Sequence, residues 1–400
     1  MCVMQNKFYM TLYFYISILY KYMFPISHFN QVKTPFYYYD KTLLNHTLST
    51  LTRLAEDRNF VVHYAIKANA NPGILKIIAA AGVGADCVSG GEIKAALAAG
   101  FPAKKIVFAG VGKADWEIEY ALENKIFCFN VESAEELAVI EELARKKETI
   151  ASVALRLNPN IDAHTHEYIT TGLNENKFGI PLEMLDGVLA QMQNYTHVQL
   201  VGFHFHIGSQ ILNMESFRLL CERINRLQDD LARRNIQVKH INVGGGLGVD
   251  YDNPDKNPIP DFESYFNVFR DNLDLRGGQQ LHCELGRAVV CQCGSLITRV
   301  LYVKKSLKKQ FVIVDAGMTD LIRPALYQAH HYIENITSDM AEQQYDVVGP
   351  ICESSDCFGK NVTLNATERG DLIAIRSAGA YGEIMASQYN CRPLPGSLIE

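Results

Sequence analysis

The strongest constraint in this sequence is an alternation. From residue 60 onward, short apolar runs rich in β-branched residues take turns with longer stretches of helical periodicity, the pattern of a parallel sheet whose strands are joined by crossover helices. Eight strand candidates fall at 60–66, 84–88, 105–109, 126–131, 152–157, 198–205, 240–243 and 280–284. Helical patterns lie between them: 72–81 with Pro72 in its first turn, 91–99 stopping at Gly100, 134–146, and 214–234. Eight such units over about 250 residues predict an α/β fold, a (β/α)8 barrel of the TIM type spanning 41–288. An open doubly wound sheet has the same spacing and stays open at this point.

Beyond about residue 288 the character changes. Strand-like runs at 296–303, 310–315 and 371–375, with one short helical stretch at 320–328, predict a mostly-β second domain over 289–400. The aromatic run Phe36 to Tyr39 reads as a further strand returning to that domain, so 23–40 is assigned with it. The first 22 residues stand apart. Their apolar run at 8–20, between Lys7 and Lys21, is too short to span a bilayer and lacks a small-residue cleavage site after it. We expect a non-native extension, with Met23 as the favoured true start and a disordered tail as the plainer reading.

The formal net charge of −6 over 400 residues leaves no footprint for nucleic acid and no polybasic surface for a membrane, which directs attention to a small soluble substrate. Ten cysteines are scattered without a CxxC pair and read as reduced thiols of a cytoplasmic protein. Cys291 with Cys293, and His204 with His206, share a strand face in pairs, but two ligands do not make a tetrahedral site. No metal is expected.

In a barrel of this type functional groups gather at the C-terminal ends of the strands. There the chain offers Lys67 and Asn69 after the first run, Asp86 and Ser89 after the second, Arg156 and Asn158 after the fifth, and His204, His206 and Ser209 after the sixth. The seventh runs into Gly244, Gly245 and Gly246, the eighth into Glu284 and Arg287. Singly, each has a plain explanation: a lysine after a strand is usually solvated, and a glycine triplet is often a tight turn. Together they supply an amine, an aromatic ring, a phosphate cradle and a carboxylate at one end of the barrel. That set asks for a phosphorylated cofactor that reacts with an amine.

Seven segments carry a family resemblance that covers residues 34–393. They are Tyr-Ala-Ile-Lys-Ala-Asn at 64–69, Gly-Ala-Asp-Cys-Val-Ser-Gly-Gly-Glu at 84–92, Phe-His-Ile-Gly-Ser-Gln at 205–210, Gly-Gly-Gly-Leu-Gly at 244–248, Asp-Ala-Gly-Met-Thr-Asp-Leu-Ile-Arg-Pro-Ala-Leu-Tyr at 315–327, Cys-Glu-Ser-Ser-Asp at 352–356, and Gly-Ala-Tyr-Gly at 379–382. In this order they resemble the diaminopimelate decarboxylases, fold-type III pyridoxal 5'-phosphate (PLP) enzymes similar to alanine racemase.

The resemblance implies decarboxylation of meso-2,6-diaminopimelate to L-lysine and carbon dioxide, the last step of lysine biosynthesis. It makes Lys67 the covalent anchor of PLP, His206 the ring that stacks on it, Ser209 and Gly244 to Gly246 the phosphate holders, and Glu284 the partner of the pyridine nitrogen. Asp86, Arg156 and Tyr381 join the cofactor set. A carboxylate at the ring nitrogen keeps it protonated and PLP an electron sink, and a lysine beside that cationic ring is expected to have its pKa lowered. Arg287, Arg323, Tyr327, Glu353 and Tyr381 fall at the substrate positions and Cys352 at the general acid.

An arginine fork suits a carboxylate that is held rather than removed, so Arg323 favours diaminopimelate over ornithine, arginine or carboxynorspermidine, the substrates of sister decarboxylases. A non-catalytic PLP carrier would typically lack Lys67 or Cys352, and a racemase would need a second base opposite Lys67. The family implies a homodimer, with Cys352 and Glu353 completing the partner's site. One departure stands out: Leu285 occupies the position where the family usually has proline between Glu284 and Gly286, so a preset turn dihedral is lost.

Overall fold

The computed structural model describes residues 24–159 and 177–400; the expected extension at 1–22 lies outside them. Strand β1 (Phe36–Tyr39) comes first. Strands β2 (Val61–Ala65), β3 (Gly84–Cys87), β4 (Ile106–Phe108), β5 (Cys128–Val131) and β6 (Ala151–Asn158) follow, then the two-residue β7 (Ile180–Pro181), β8 (Val198–His204), β9 (His240–Asn242) and β10 (Gln280–Leu285). The parallel order β5-β4-β3-β2-β10-β9-β8-β6 closes through a pairing of β5 with β6. That closure decides between barrel and open sheet, and all eight expected strands take part.

The intervening helices form where caps and apolar spacing agree. Ser133 Oγ accepts the Glu136 N–H at the start of Ala134–Lys146, whose first turn is acidic and last turn basic, matching the helix dipole. Met214–Arg233 buries Phe217, Leu220, Cys221, Ile224 and Leu231 on one face, the three-and-four spacing of an amphipathic helix against a sheet. Truncating Ile224 to alanine there would cost about 2–5 kcal/mol.

The second sheet holds β11 (Gly294–Lys305), β12 (Gln310–Val314), β13 (Ile333–Asn335), β14 (Glu342–Val348), β15 (Cys357–Asn365) and β16 (Leu372–Ile375) in the order β13-β16-β11-β12-β14-β15. β1 lies antiparallel to β11, with Phe36 opposite Ile297, and parallel to β17 (Gly396–Ile399). The aromatic run at 36–39 does return to this sheet. It also bolts the two sheets together: Asn69, just past β2, donates from Nδ2 to Tyr39 Oη at 2.8 Å and to the Gly379 carbonyl at 2.9 Å.

The barrel interior is polar in two layers. Asn130 on β5 reaches Glu284 on β10 at 2.8 Å, and these strands are not neighbours, so the bond crosses the lumen. Beneath it, on β2, β10 and β9, His63, His282 and His240 form a chain with ring nitrogens 2.9 Å apart at each step.

Candidate active site

Ten of the expected side chains converge with Gly246 on one cavity of about 1260 Å³ at the mouth of the barrel: Lys67, Asp86, Arg156, His206, Ser209, Glu284, Arg287, Arg323, Tyr327 and Tyr381. Lys67 sits in the single turn Ile66–Ala68 that directly continues β2, so the strand delivers its amine into the opening. Its Nζ lies 3.6 Å from Asp86 Oδ2, with the lysine side chain 43 % exposed and the aspartate 1 %. Burial pulls the Lys67 ammonium down, but Asp86, Tyr381 and Glu284 outweigh it and the net direction is up. The protein alone therefore holds this lysine charged. The lowered pKa expected from the sequence needs the positive charge of a cofactor beside it. Burial and Glu284 push the Asp86 carboxyl upward, and its Oδ1 is buried without a hydrogen-bond partner.

Glu284 ends β10 under the opposite treatment. Oε1 accepts from Asn130 Nδ2 at 2.8 Å and Asn242 Nδ2 at 2.7 Å, while Oε2 lies 2.8 Å from His204 Nε2. Burial alone would raise this carboxyl; His204 first, then Lys67 and His63, hold it well below the usual carboxylate range. A carboxylate kept ionised inside a barrel is suited to face a protonated ring nitrogen. Asn242 extends this arrangement, since its Oδ1 accepts the Gly244 N–H at 2.9 Å.

His206 is neutral for a geometric reason. The Gly245 N–H donates to its Nδ1 at 3.3 Å, which places the ring proton on Nε2, and burial with Arg156 and Lys67 nearby drives its pKa well down. The glycines themselves are required by packing. A Cβ on Gly245 would stand 2.0 Å from the Glu284 carbonyl oxygen, and Gly246, at φ +112°, would place one 2.7 Å from that of Gly208. Gly246 lines the cavity, whereas Gly244 and Gly245 stand behind it.

The arginines divide into two kinds. Arg156 is paired with Glu132 at 2.7 Å, and Glu132 also accepts the Gly179 N–H at 2.9 Å. Arg287 and Arg323 are buried, and their partners among the described residues are neutral. Arg287 donates to Tyr251 Oη at 2.6 Å and Ser209 Oγ at 3.0 Å, and its guanidinium lies 4.9 Å from the Tyr381 ring. Arg323 lies 4.9 Å from the Tyr251 ring and bonds to His331 at 2.9 Å. Two guanidinium groups without a carboxylate among the described residues, at the edge of a cavity, call for an anionic ligand. Tyr381 adopts a left-handed φ of +57°, held by its N–H bond to the Ala68 carbonyl at 2.8 Å, which brings the second sheet against the Lys67 turn.

Cys352 and Glu353 are not brought into this cavity. Both are exposed on a loop pinned by the buried Asp356, which accepts the Ile351 and Met318 N–H groups at 2.6 Å. Glu353 accepts from Tyr389 Oη at 2.7 Å. Ser89, another strand-end candidate, caps the helix Gly90–Ala99 by accepting from Glu92 N–H.

A family model described as "Pyridoxal-dependent decarboxylase, pyridoxal binding domain" matches residues 43–291. A diaminopimelate decarboxylase of Bacteroides thetaiotaomicron is 63% identical over 374 residues, which cover 93% of this chain and 97% of that one. The chain belongs to the diaminopimelate decarboxylase family. Other members include an enzyme of Helicobacter pylori at 44% identity over 91% of this chain and 90% of its own. A solved structure of Helicobacter pylori diaminopimelate decarboxylase complexed with L-lysine aligns with a TM-score of 0.86 and 42% identity, covering 94% of this chain and 93% of that one. That of M. jannaschii, also with L-lysine, gives 0.86 and 34%, covering 94% and 89%.

The residues present fit the family's cofactor. An accessible amine, an unpartnered buried carboxylate oxygen on Asp86, an ionised Glu284 and a neutral His206 all belong to one cavity. The variant Leu285 is buried at the end of β10 opposite Tyr64, in strand conformation. Sequence reading passed over Asn130, Glu132, Asn242, Tyr251 and His331. Asn242 stands two residues before Gly244 at a strand end and was open to the same test that found Glu284; Tyr251 and His331 lie in loops with no such marker.

Proposed function

We propose that the cavity carries out decarboxylation of meso-2,6-diaminopimelate to L-lysine and carbon dioxide with PLP held at Lys67. The observation that carries this reading is the joint presence, in one opening, of a lysine amine, an ionised buried carboxylate and two arginines without anionic partners among the described residues. PLP, when bound, supplies an electron sink for the pair left on carbon as carbon dioxide departs. Glu284, fixed by Asn130, Asn242 and His204, would accept the ring-nitrogen proton's hydrogen bond. His206 would present its neutral ring to the cofactor. Gly246 and Ser209 would take the phosphate, with Gly244 and Gly245 setting the loop and Asp86 and Arg156 completing the cofactor wall. Arg287, Arg323, Tyr327 and Tyr381 hold the substrate carboxylate that is retained, which orients the other for departure. Lys67 would yield its bond to the cofactor to the substrate amine and would recover it as product leaves.

We assign the final proton to Cys352 of a second chain, with Glu353 on the substrate amine. The exposure of both groups outside their own chain's cavity supports a homodimer in which each loop enters the partner's opening. Residence in the cytoplasm is supported by the eight cysteines at 87, 128, 221, 283, 291, 352, 357 and 391, none of which forms a disulfide among the described residues; none of the described helices is long and apolar enough to cross a membrane. The test is carbon dioxide release from meso-diaminopimelate, ornithine, arginine and carboxynorspermidine by PLP-loaded protein. Release from diaminopimelate alone is expected. Turnover of another of these substrates would leave the cofactor chemistry standing and remove the assignment of Arg323, while no release would remove both.

A further inference from the structure

Arg323 is the group on which selectivity rests in this reading, and what holds Arg323 is unusual. We propose that His331 is a positioning residue that sets selectivity for a substrate with a carboxylate at its far end, by fixing Arg323 through a neutral acceptor and leaving its charge for the ligand. The inference rests on the diaminopimelate reading above.

His331 is buried, at 1 % exposure. Its Nδ1 lies 2.8 Å from the Arg376 carbonyl oxygen, which can only accept, so Nδ1 carries the proton and Nε2 presents a lone pair. Nε2 lies 2.9 Å from Arg323 Nη1, which can only donate. Burial and the nearby Arg323 keep the ring neutral, its pKa pushed down to about 3. Tyr251 completes the mount, edge-on to His331 with ring centroids 5.2 Å apart and its face 4.9 Å from the guanidinium. Neither partner carries negative charge.

Arg376 shows the alternative within the same structure. Its guanidinium is ion-paired with Glu334 at 2.6 Å and Asp255 at 2.8 Å. A carboxylate in place of His331 would treat Arg323 the same way and compete with the substrate for its fork. An imidazole fixes one nitrogen and leaves the positive charge uncompensated, which is what a ligand carboxylate needs.

The probes are L-lysine, which keeps the retained carboxylate, and 1,5-diaminopentane, the same chain without it, titrated calorimetrically into PLP-loaded protein. His331→Leu is expected to weaken L-lysine about tenfold, the loss of one hydrogen bond to a charged group, with 1,5-diaminopentane shifted far less. KM for diaminopimelate should rise by the same factor, with kcat nearly constant. His331→Glu should weaken L-lysine further and improve 1,5-diaminopentane, while His331→Gln, which retains a neutral acceptor, should restore most of the L-lysine affinity. If His331→Leu does not fold, the contrast between Glu and Gln carries the test. Equal shifts for both ligands across the variants, or unchanged L-lysine affinity, would overturn the inference as a merely structural role requires. A wild-type protein that does not prefer L-lysine over 1,5-diaminopentane would overturn the diaminopimelate reading itself, and the inference with it.

Discussion

The floor and the mouth of the barrel are both built from polar side chains, but their bonding differs. On the floor the Lys105 carbonyl accepts from His63, His63 Nε2 accepts from His282, and His282 Nε2 accepts from His240, an order fixed because the carbonyl can only accept. Phe127 stacks 5.4 Å from His282 and closes the layer. Every bond there ends on another protein atom. At the mouth, Asp86 Oδ1, His204 Nδ1 and Arg287 Nε are buried without partners among the described residues, and Arg287 and Arg323 have no counter-charge among them. Polar groups closed on one another serve the fold; polar groups left open await a ligand.

The largest expected effect breaks the mouth. Lys67→Ala should reduce carbon dioxide release by about a thousandfold or more while the melting temperature holds, because the side chain is 43 % exposed. Glu284→Gln comes next, with an expected loss of about a hundredfold in kcat and weaker PLP retention in equilibrium dialysis, since the charge that His204 and two asparagines stabilise would be gone. On the floor the signature should reverse. His282→Leu leaves His63 Nε2 and His240 Nδ1 without their partner and should cost about 1–3 kcal/mol in denaturant unfolding, with kcat little changed.

A pH dependence, read as a modest shift in melting temperature, sharpens the contrast. Burial lowers the pKa of His63 and His240 and brings His282 down to about 2. A histidine whose folded pKa is lowered is neutral in the fold and protonates first in the unfolded chain. Its stabilisation is therefore complete above about pH 6.5 and declines as pH falls from there toward the folded value, by at most about 1.4 kcal/mol per pH unit for the deeply buried His282. Melting temperatures measured from pH 7 to pH 5 should fall, and His282→Leu should flatten the slope.

The barrel was legible because short runs rich in apolar and β-branched residues alternate with helices of clear apolar periodicity, even though its strands carry the polar His63, Asn130, Asn242, His282 and Glu284. The second sheet was only partly legible. β14 opens with exposed Glu342, Gln343 and Gln344 and β15 carries exposed Lys360 and Asn361, so neither shows the apolar signal of β11 or β16. Within the site, Lys67, His206 and Glu284 were found because they end strands and sit in motifs. His331 and Tyr251 act through contacts between loops distant in sequence, and no local pattern announces which arginine a histidine will hold. The lowered pKa expected of Lys67 depends on a charge the chain does not itself contain; in the protein alone burial pulls it down, but Asp86, Tyr381 and Glu284 set the net direction upward.

The measurement that tests the central claim most directly is borohydride reduction of PLP-loaded protein followed by peptide mass mapping. The account predicts one reduced pyridoxyl group on the peptide containing Lys67 and none in Lys67→Ala. A pyridoxyl group on a lysine outside the mouth of the barrel, with Lys67 unmodified, would contradict it.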